Sequence, residues 1–243
     1  MSPVDNDQRR FFQRMAETYD DDERPDTPAT VDFLASLANG GRTLELAIGT
    51  GRIALPLTER GVAVDGIDIS PDMVDRLREK PGGAEIAVTI GDMAEVDVEG
   101  PYELVYVVYN SFCNLGTQDA QVRCFESVAA RLTETGVFVI ESFLPDPEWL
   151  RDGQYVHAQH IGADEVWLDI TRVDSITQRL DESHVVLSDQ GVRLFPVVTR
   201  YVWPSELDLM ARLAGMRLKQ RWAGWSHEPF TTESRDFVSV YGR

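Results

Sequence analysis

Cysteine and positive charge are both scarce in this chain. Its 243 residues hold two cysteines, Cys113 and Cys124, too few for a disulfide framework. They also hold 23 Lys and Arg against 41 Asp and Glu, a formal net charge of −18. That field repels phosphate backbones and anionic lipid surfaces, so neither nucleic acid nor a membrane is expected as a partner. Long hydrophobic runs are missing as well: apolar stretches break within about eight residues, well short of the roughly 20 that a membrane helix needs. The start Met1-Ser2-Pro3-Val4-Asp5 lacks the basic and then apolar pattern of a signal peptide. With 43% hydrophobic and 26% charged residues, the expectation is a soluble, acidic, cytoplasmic protein, open to homo-oligomerisation and with no internal repeat.

What is present is a regular rhythm. Phe12, Met15 and Tyr19 recur at helical spacing and predict an amphipathic helix over residues 9–22, ending in Asp20-Asp21-Asp22-Glu23, read as a solvated surface. Pro28 opens a second helix, with Val31, Leu34 and Leu37/Ala38 inward and Asn39-Gly40-Gly41 as its stop. Apolar runs of strand length follow at Thr43–Ile48, Ala63–Ile67, Ala84–Ile90, Leu104–Tyr109 and Val137–Phe143. Helical stretches at Arg52–Arg60, Pro71–Lys80 and Gln118–Glu134 separate them, which predicts a parallel sheet covered on both faces. From about residue 154 the pattern changes to strands at Tyr155–Ile161, Val166–Val173, His184–Leu187 and Val192–Val202, an antiparallel β lobe. A helix over Ser205–Ala214, N-capped by Ser205, and strands Met216–Trp222 and Phe237–Tyr241 finish the chain. The fold class expected is α/β, a Rossmann-like doubly wound and mostly parallel sheet with an antiparallel last strand. Residues 1–40 would form a helical cap, 41–151 and 202–243 the core, and 152–201 the inserted lobe.

The chemistry concentrates at the strand ends. Gly49 and Gly51 lie in the turn from the first strand into a helix, where missing Cβ atoms let backbone approach a ligand. Asp68 closes the second strand, where an acid can accept from both ribose hydroxyls. Gly49-x-Gly51-x-x-Ala54 followed by Asp68 also satisfies the nicotinamide dinucleotide fingerprint. Against that ligand stands Glu45, expected near the mouth of the glycine turn, where it disfavours a pyrophosphate and welcomes an ammonium. Asp92, after the third strand, adds an acceptor for an adenine amino group.

Glu45-Leu46-Ala47-Ile48-Gly49-Thr50-Gly51, Gly66-Ile67-Asp68-Ile69-Ser70 with Met73, and Gly91-Asp92-Met93 stand in the order and spacing of the class I S-adenosylmethionine-dependent methyltransferases, which the chain resembles. The resemblance implies that Asp68 holds the ribose, Ile69 and Met73 pack on the adenine, Asp92 accepts from its amino group and Met93 offers its backbone N–H. Ala47 stands where the family most often has a first glycine. Val108-Tyr109-Asn110-Ser111-Phe112 is similar to the Asn-Ser-Phe segment of glycine-type N-methyltransferases and of actinobacterial enzymes that methylate natural-product amines. By that likeness Asn110 faces the acceptor, the Val108 carbonyl receives the cofactor ammonium and Tyr19 comes near the sulfonium.

Structural roles stand beside these readings. Tyr19 also suits a core anchor, Asn110 a loop cap and Glu45 an ion pair with Arg52. Transfer to a neutral amine nitrogen needs no strong base, whereas a hydroxyl acceptor does. His227, between Trp225 and Phe230, is the candidate base for that rival. His157 and His160, three apart, fall on opposite faces of a regular strand, so no metal is expected. Trp167, Tyr155, Phe195 and Arg200 are the lobe residues expected to line a pocket for a small-molecule acceptor. An oxidoreductase and a non-catalytic cofactor-binding protein remain as alternatives.

Overall fold

The computed structural model describes Phe11, Gln13, Ala16, Tyr19, Asp20 and residues 24–243. Phe12 and Met15 of the expected first helix, and Asp21, Asp22 and Glu23 of the acidic run, lie outside the described residues.

Helix α1 (Thr27–Ala38) begins with proline in its first turn and ends at Asn39 in the left-handed conformation (φ 52°). Strand β1 (Thr43–Leu46) and helix α2 (Ala54–Glu59) flank the glycine turn. Strand β2 (Val64–Asp68) leads into α3 (Pro71–Glu79), whose N-cap Ser70 accepts from the Met73 N–H. Next come β3 (Ala87–Ile90), β4 (Tyr102–Val107), α4 (Gln118–Arg131), β5 (Leu132–Phe143) and α5 (Pro147–Asp152). Four long strands follow: β6 (Gln154–Ile161), β7 (Glu165–Asp174), β8 (Arg179–Ser188) and β9 (Gly191–Arg200). Then α6 (Pro204–Leu213), β10 (Arg217–Trp222) and β11 (Asp236–Gly242) close the chain.

Seven strands form one sheet in the order β10-β11-β5-β4-β1-β2-β3, with β11 antiparallel to both neighbours and β1 to β5 parallel throughout. Apolar residues of α4 and α6 (Phe125, Val128, Leu207, Met210) pack on one face, and those of α1 and α2 (Val31, Leu34, Ile53, Leu57) on the other. Burial on both faces is what a nearly continuous apolar strand requires. Strands β6 to β9 form a separate antiparallel meander. Among the described residues no helix is long and apolar enough to cross a membrane.

Several boundaries differ from the sequence reading for identifiable reasons. β1 stops at Leu46 because Ala47 turns left-handed, and β4 stops at Val107 because Tyr109 and Asn110 do so in succession. β3 starts at Ala87 because Gly83–Glu85 is a 3₁₀ turn. Helix α4 ends at Arg131 and β5 begins at once, its early residues bulging between the pairings Tyr102 with Leu132 and Leu104 with Val137. Strand β8 starts five residues before His184, since its first half is mostly charged or polar, with Leu180 its one apolar residue. Ser205 is not the N-cap of α6; Trp203 occupies that position, without a side-chain hydrogen bond, and Pro204 opens the first turn.

Candidate active site

The C-terminal ends of β1, β2 and β3 open onto a cavity of about 490 Å³, the place where a doubly wound sheet binds its ligand. Tyr19, Ala47, Gly49, Asp68, Ile69, Met73, Asp92 and Met93 all line it.

Asp68 is the most tightly fixed of these. One carboxylate oxygen accepts from the Gly49 N–H at 2.7 Å and the other from the Ser70 N–H at 2.8 Å. The acid at the end of β2 is thereby locked to the glycine turn of β1, with lone pairs left for a ligand. Burial pushes its pKa upward against those hydrogen bonds. Asp92 is held similarly by the Ala94 N–H at 2.8 Å. Ile69, Met73 and Met93 supply an apolar wall between the two acids. Ala47 has φ 56°, a left-handed conformation that favours glycine, so the methyl is tolerated at this lining position at a local cost. Gly51 supports the site from behind: at φ 79°, a Cβ there would come within 2.3 Å of Leu77 Cδ1. Ser111, offered by the sequence only as part of the Asn-Ser-Phe segment, and Asn114, Leu115 and Thr117, which were given no role, also line the cavity. Their signal was faint, because they sit in a 3₁₀ turn and a helix cap rather than in a periodic element.

Besides Gly51, four expected residues, Glu45, Val108, Asn110 and His227, do not line the cavity. Glu45 does not project at the cavity mouth: it pairs in register with Tyr106 of β4, shares that residue's face of the sheet and accepts its hydroxyl at 2.8 Å. It is 2% exposed, and burial raises its pKa to about 8. The Val108 carbonyl already accepts from the Ser111 N–H at 3.1 Å. Asn110, left-handed at φ 59°, precedes the 3₁₀ turn Ser111–Asn114 and does not line the cavity, yet its Oδ1 is buried with no hydrogen-bond partner among the described residues. His227 is exposed and packs between Phe33 of α1 and Trp222 of β10, with ring centroids 5.0 and 5.1 Å away, so the candidate base stands outside the cavity.

In the four-stranded sheet, Tyr155, Trp167 and Phe195 occupy one face. Arg200 does not line it: its guanidinium is buried against Gln121, Gln178 and Glu206 at the junction with α4 and α6. His157 and His160 are not on opposite faces. A bulge at Gln159 brings them opposite Asp169 and Trp167, two residues apart on β7 and so on the same side. Among the described residues no group of three or more His, Cys, Asp or Glu is arranged to hold a metal ion.

A family model described as a methyltransferase domain matches residues 43–136. A putative methyltransferase of Bacillus subtilis, YqeM, is 30% identical over 171 residues, covering 64% of this chain and 69% of its own. The cypemycin N-terminal methyltransferase of a Streptomyces species is 24% identical over 206 residues, 84% of each. Among solved structures, the CcbJ methyltransferase from Streptomyces caelestis superposes with a TM-score of 0.90 at 35% identity over 96% of this chain and 97% of that one. These likenesses set aside the nicotinamide reading of the glycine turn, and the donor set around the cavity, two fixed acids flanking an apolar wall, suits an adenosine ligand. The chain belongs to the S-adenosylmethionine-dependent methyltransferases.

Proposed function

We propose that the acceptor atom is an amine nitrogen and that the acceptor lies between the Ser111–Asn114 turn and the four-stranded sheet. The observation that carries this reading is Asn110, whose side-chain oxygen is buried without a donor among the described residues, beside the turn that walls the cavity. A buried acceptor without a partner costs about 1–3 kcal/mol, and an N–H of the substrate or of the cofactor's ammonium group would remove that cost. Asp68 would hold the ribose, Ile69 and Met73 the adenine, and Asp92 with Met93 its amino edge. Tyr19 would stand beside the sulfonium. The cofactor, when bound, supplies an activated methyl group, so this chain's task is to align the nitrogen and exclude water. Similarity to an enzyme that methylates a peptide N-terminus supports the amine reading, and the hydroxyl alternative loses His227 as its base.

The test is two measurements. Asp68→Ala should weaken S-adenosylhomocysteine binding by about 1–3 kcal/mol in calorimetry; unchanged affinity would remove Asp68 from the ribose site. Labelled methyl supplied to matched amines and alcohols should appear on nitrogen, and label on oxygen alone would refute the proposal.

A further inference from the structure

One face of the four-stranded sheet carries a polar cluster outside the cavity lining. His184 and Asp169 are register partners on β8 and β7, and His184 Nδ1 meets Asp169 Oδ1 at 2.5 Å. Gln159, at the β6 bulge, donates to the other Asp169 oxygen. Glu182 lies on the same face two residues before His184, and accepts from Thr199 Oγ1 at 2.5 Å. The Trp167 indole N–H, also on this face, is buried with no acceptor among the described residues. A donor and an acid–imidazole pair left open on one apolar-walled surface describe a binding site rather than a packing solution.

Its position ties it to methyl transfer. Strand β9 packs on the Ser111–Asn114 turn, whose Ser111 and Asn114 side chains line the cofactor cavity. The charge of Glu182 reaches Cys113 inside that turn. From the other side Phe11 lies 5.6 Å from the His184 ring, while Tyr19 of the same N-terminal segment lines the cavity. One turn and one segment therefore wall both places.

We infer that this face binds the acceptor as a cationic amine, with His184 Nε2 accepting the proton that must leave the nitrogen before transfer. The inference rests on the nitrogen reading above. Asp169 fixes the ring with Nδ1 as its donor, which leaves the Nε2 lone pair free. The ammonium passes one proton to Nε2. The neutral nitrogen then forms its bond to the methyl carbon as the carbon–sulfur bond breaks with its electron pair on sulfur, and His184 releases the proton to solvent. Glu182 offsets the positive charge on ring or amine. The hydrogen bond with Asp169, outweighing burial, holds the His184 pKa above 6.5, suiting it to receive a proton near neutrality. The ionisable groups that share this face with the pair include Glu182 on β8, Tyr155, His157 and His160 on β6, and Arg193 on β9.

The experiment uses the full chain saturated with S-adenosylhomocysteine and three amine probes: glucosamine, piperidine and trialanine. Calorimetric affinity for at least one should rise with pH as His184 loses its proton, and the rise should vanish in His184→Gln. Asp169→Asn, which keeps the shape and removes the orienting charge, should move the rise to lower pH. With the same amine, kcat/KM of His184→Gln should fall by about 10²-fold or more at pH 7 and recover as pH rises and the free amine accumulates. Unfolding midpoints within a few degrees of wild type confirm that both variants fold; should His184→Gln not, Asp169→Asn alone decides. Binding of none of the three probes, or a pH profile shared by wild type and Asp169→Asn, overturns the inference. If amines are methylated but the variants titrate like wild type, only the role of His184 fails. If label goes to alcohols alone, the nitrogen reading itself fails.

Discussion

Asp20 accepts a hydrogen bond from the Thr50 hydroxyl at 2.7 Å, and its second oxygen meets the Lys80 ammonium at 2.7 Å. The first acid of a run expected to face solvent is instead a clasp, joining the segment that carries Tyr19 to the glycine turn. Asp20→Ala should therefore loosen Tyr19 over the cavity without touching the cofactor itself. The expected loss is about 1 kcal/mol in S-adenosylhomocysteine affinity, roughly fivefold. Equal affinities by calorimetry would show that the clasp does not reach the ligand.

Glu45 makes stability depend on pH. Its carboxyl is pushed to about 8 by burial, against 4.5 as the ordinary value. Between those values the native state keeps a proton that the unfolded chain has lost, so this group's contribution falls as pH rises across the window. Glu45→Gln keeps a polar partner for Tyr106 and cannot ionise. Its unfolding midpoint should change less than that of wild type between pH 6 and 9 and exceed it at pH 9. Parallel profiles would mean that Glu45 does not titrate there.

The glycine turn holds two opposite opportunities. Ala47 at φ 56° carries about 1–2 kcal/mol of left-handed strain, partly balanced by the entropy glycine would lose. Ala47→Gly should leave stability unchanged or raise it by up to about 1 kcal/mol. Gly51→Ala should cost roughly 2–4 kcal/mol, since φ 79° and the Leu77 contact act together. Urea denaturation distinguishes the two, and a Gly51→Ala protein as stable as wild type would contradict the packing described.

Arg200 anchors the end of β9 to the core through Gln121 at 2.5 Å and Glu206 at 2.7 Å. Arg200→Met strands those buried partners and should cost about 3–5 kcal/mol. Adding Glu206→Met should restore part of that loss, because the unpaired acid disappears with it. A double variant less stable than the single one would mean that the arginine acts by packing alone.

The sequence displayed the lining of the cavity at the strand ends more clearly than the rest. Gly49, Asp68, Met73 and Asp92 stand at strand ends whose position follows from chain rhythm, so their convergence could be read before any coordinates. Glu45 was misplaced because alternation along β1 does not say which face the cavity takes; only its register with Tyr106 does. Arg200 looked like a pocket residue since nothing local discloses Gln121 as its partner. His157 and His160 were separated by the assumption of a regular strand, and a single bulge at Gln159 reversed it. The Asp169–His184 pair was invisible because its members lie on different strands and meet only through the β7 to β8 register.

Strand β11 pairs with β5 from Phe143 opposite Asp236 to Val137 opposite Gly242, and between those two strands the chain leaves the core for β6 to β9 and returns to it at α6 and β10. The antiparallel sheet is thus a closed excursion whose ends are stapled by the core, with most of its hydrogen bonds made to itself. Such a unit can open without dismantling the layer below it, and in hydrogen exchange it should appear as a separate, earlier-exchanging block. The same arrangement lets selection rewrite one surface freely. Residues on β6 to β9 can change while the acids at the ends of β2 and β3 stay as they are.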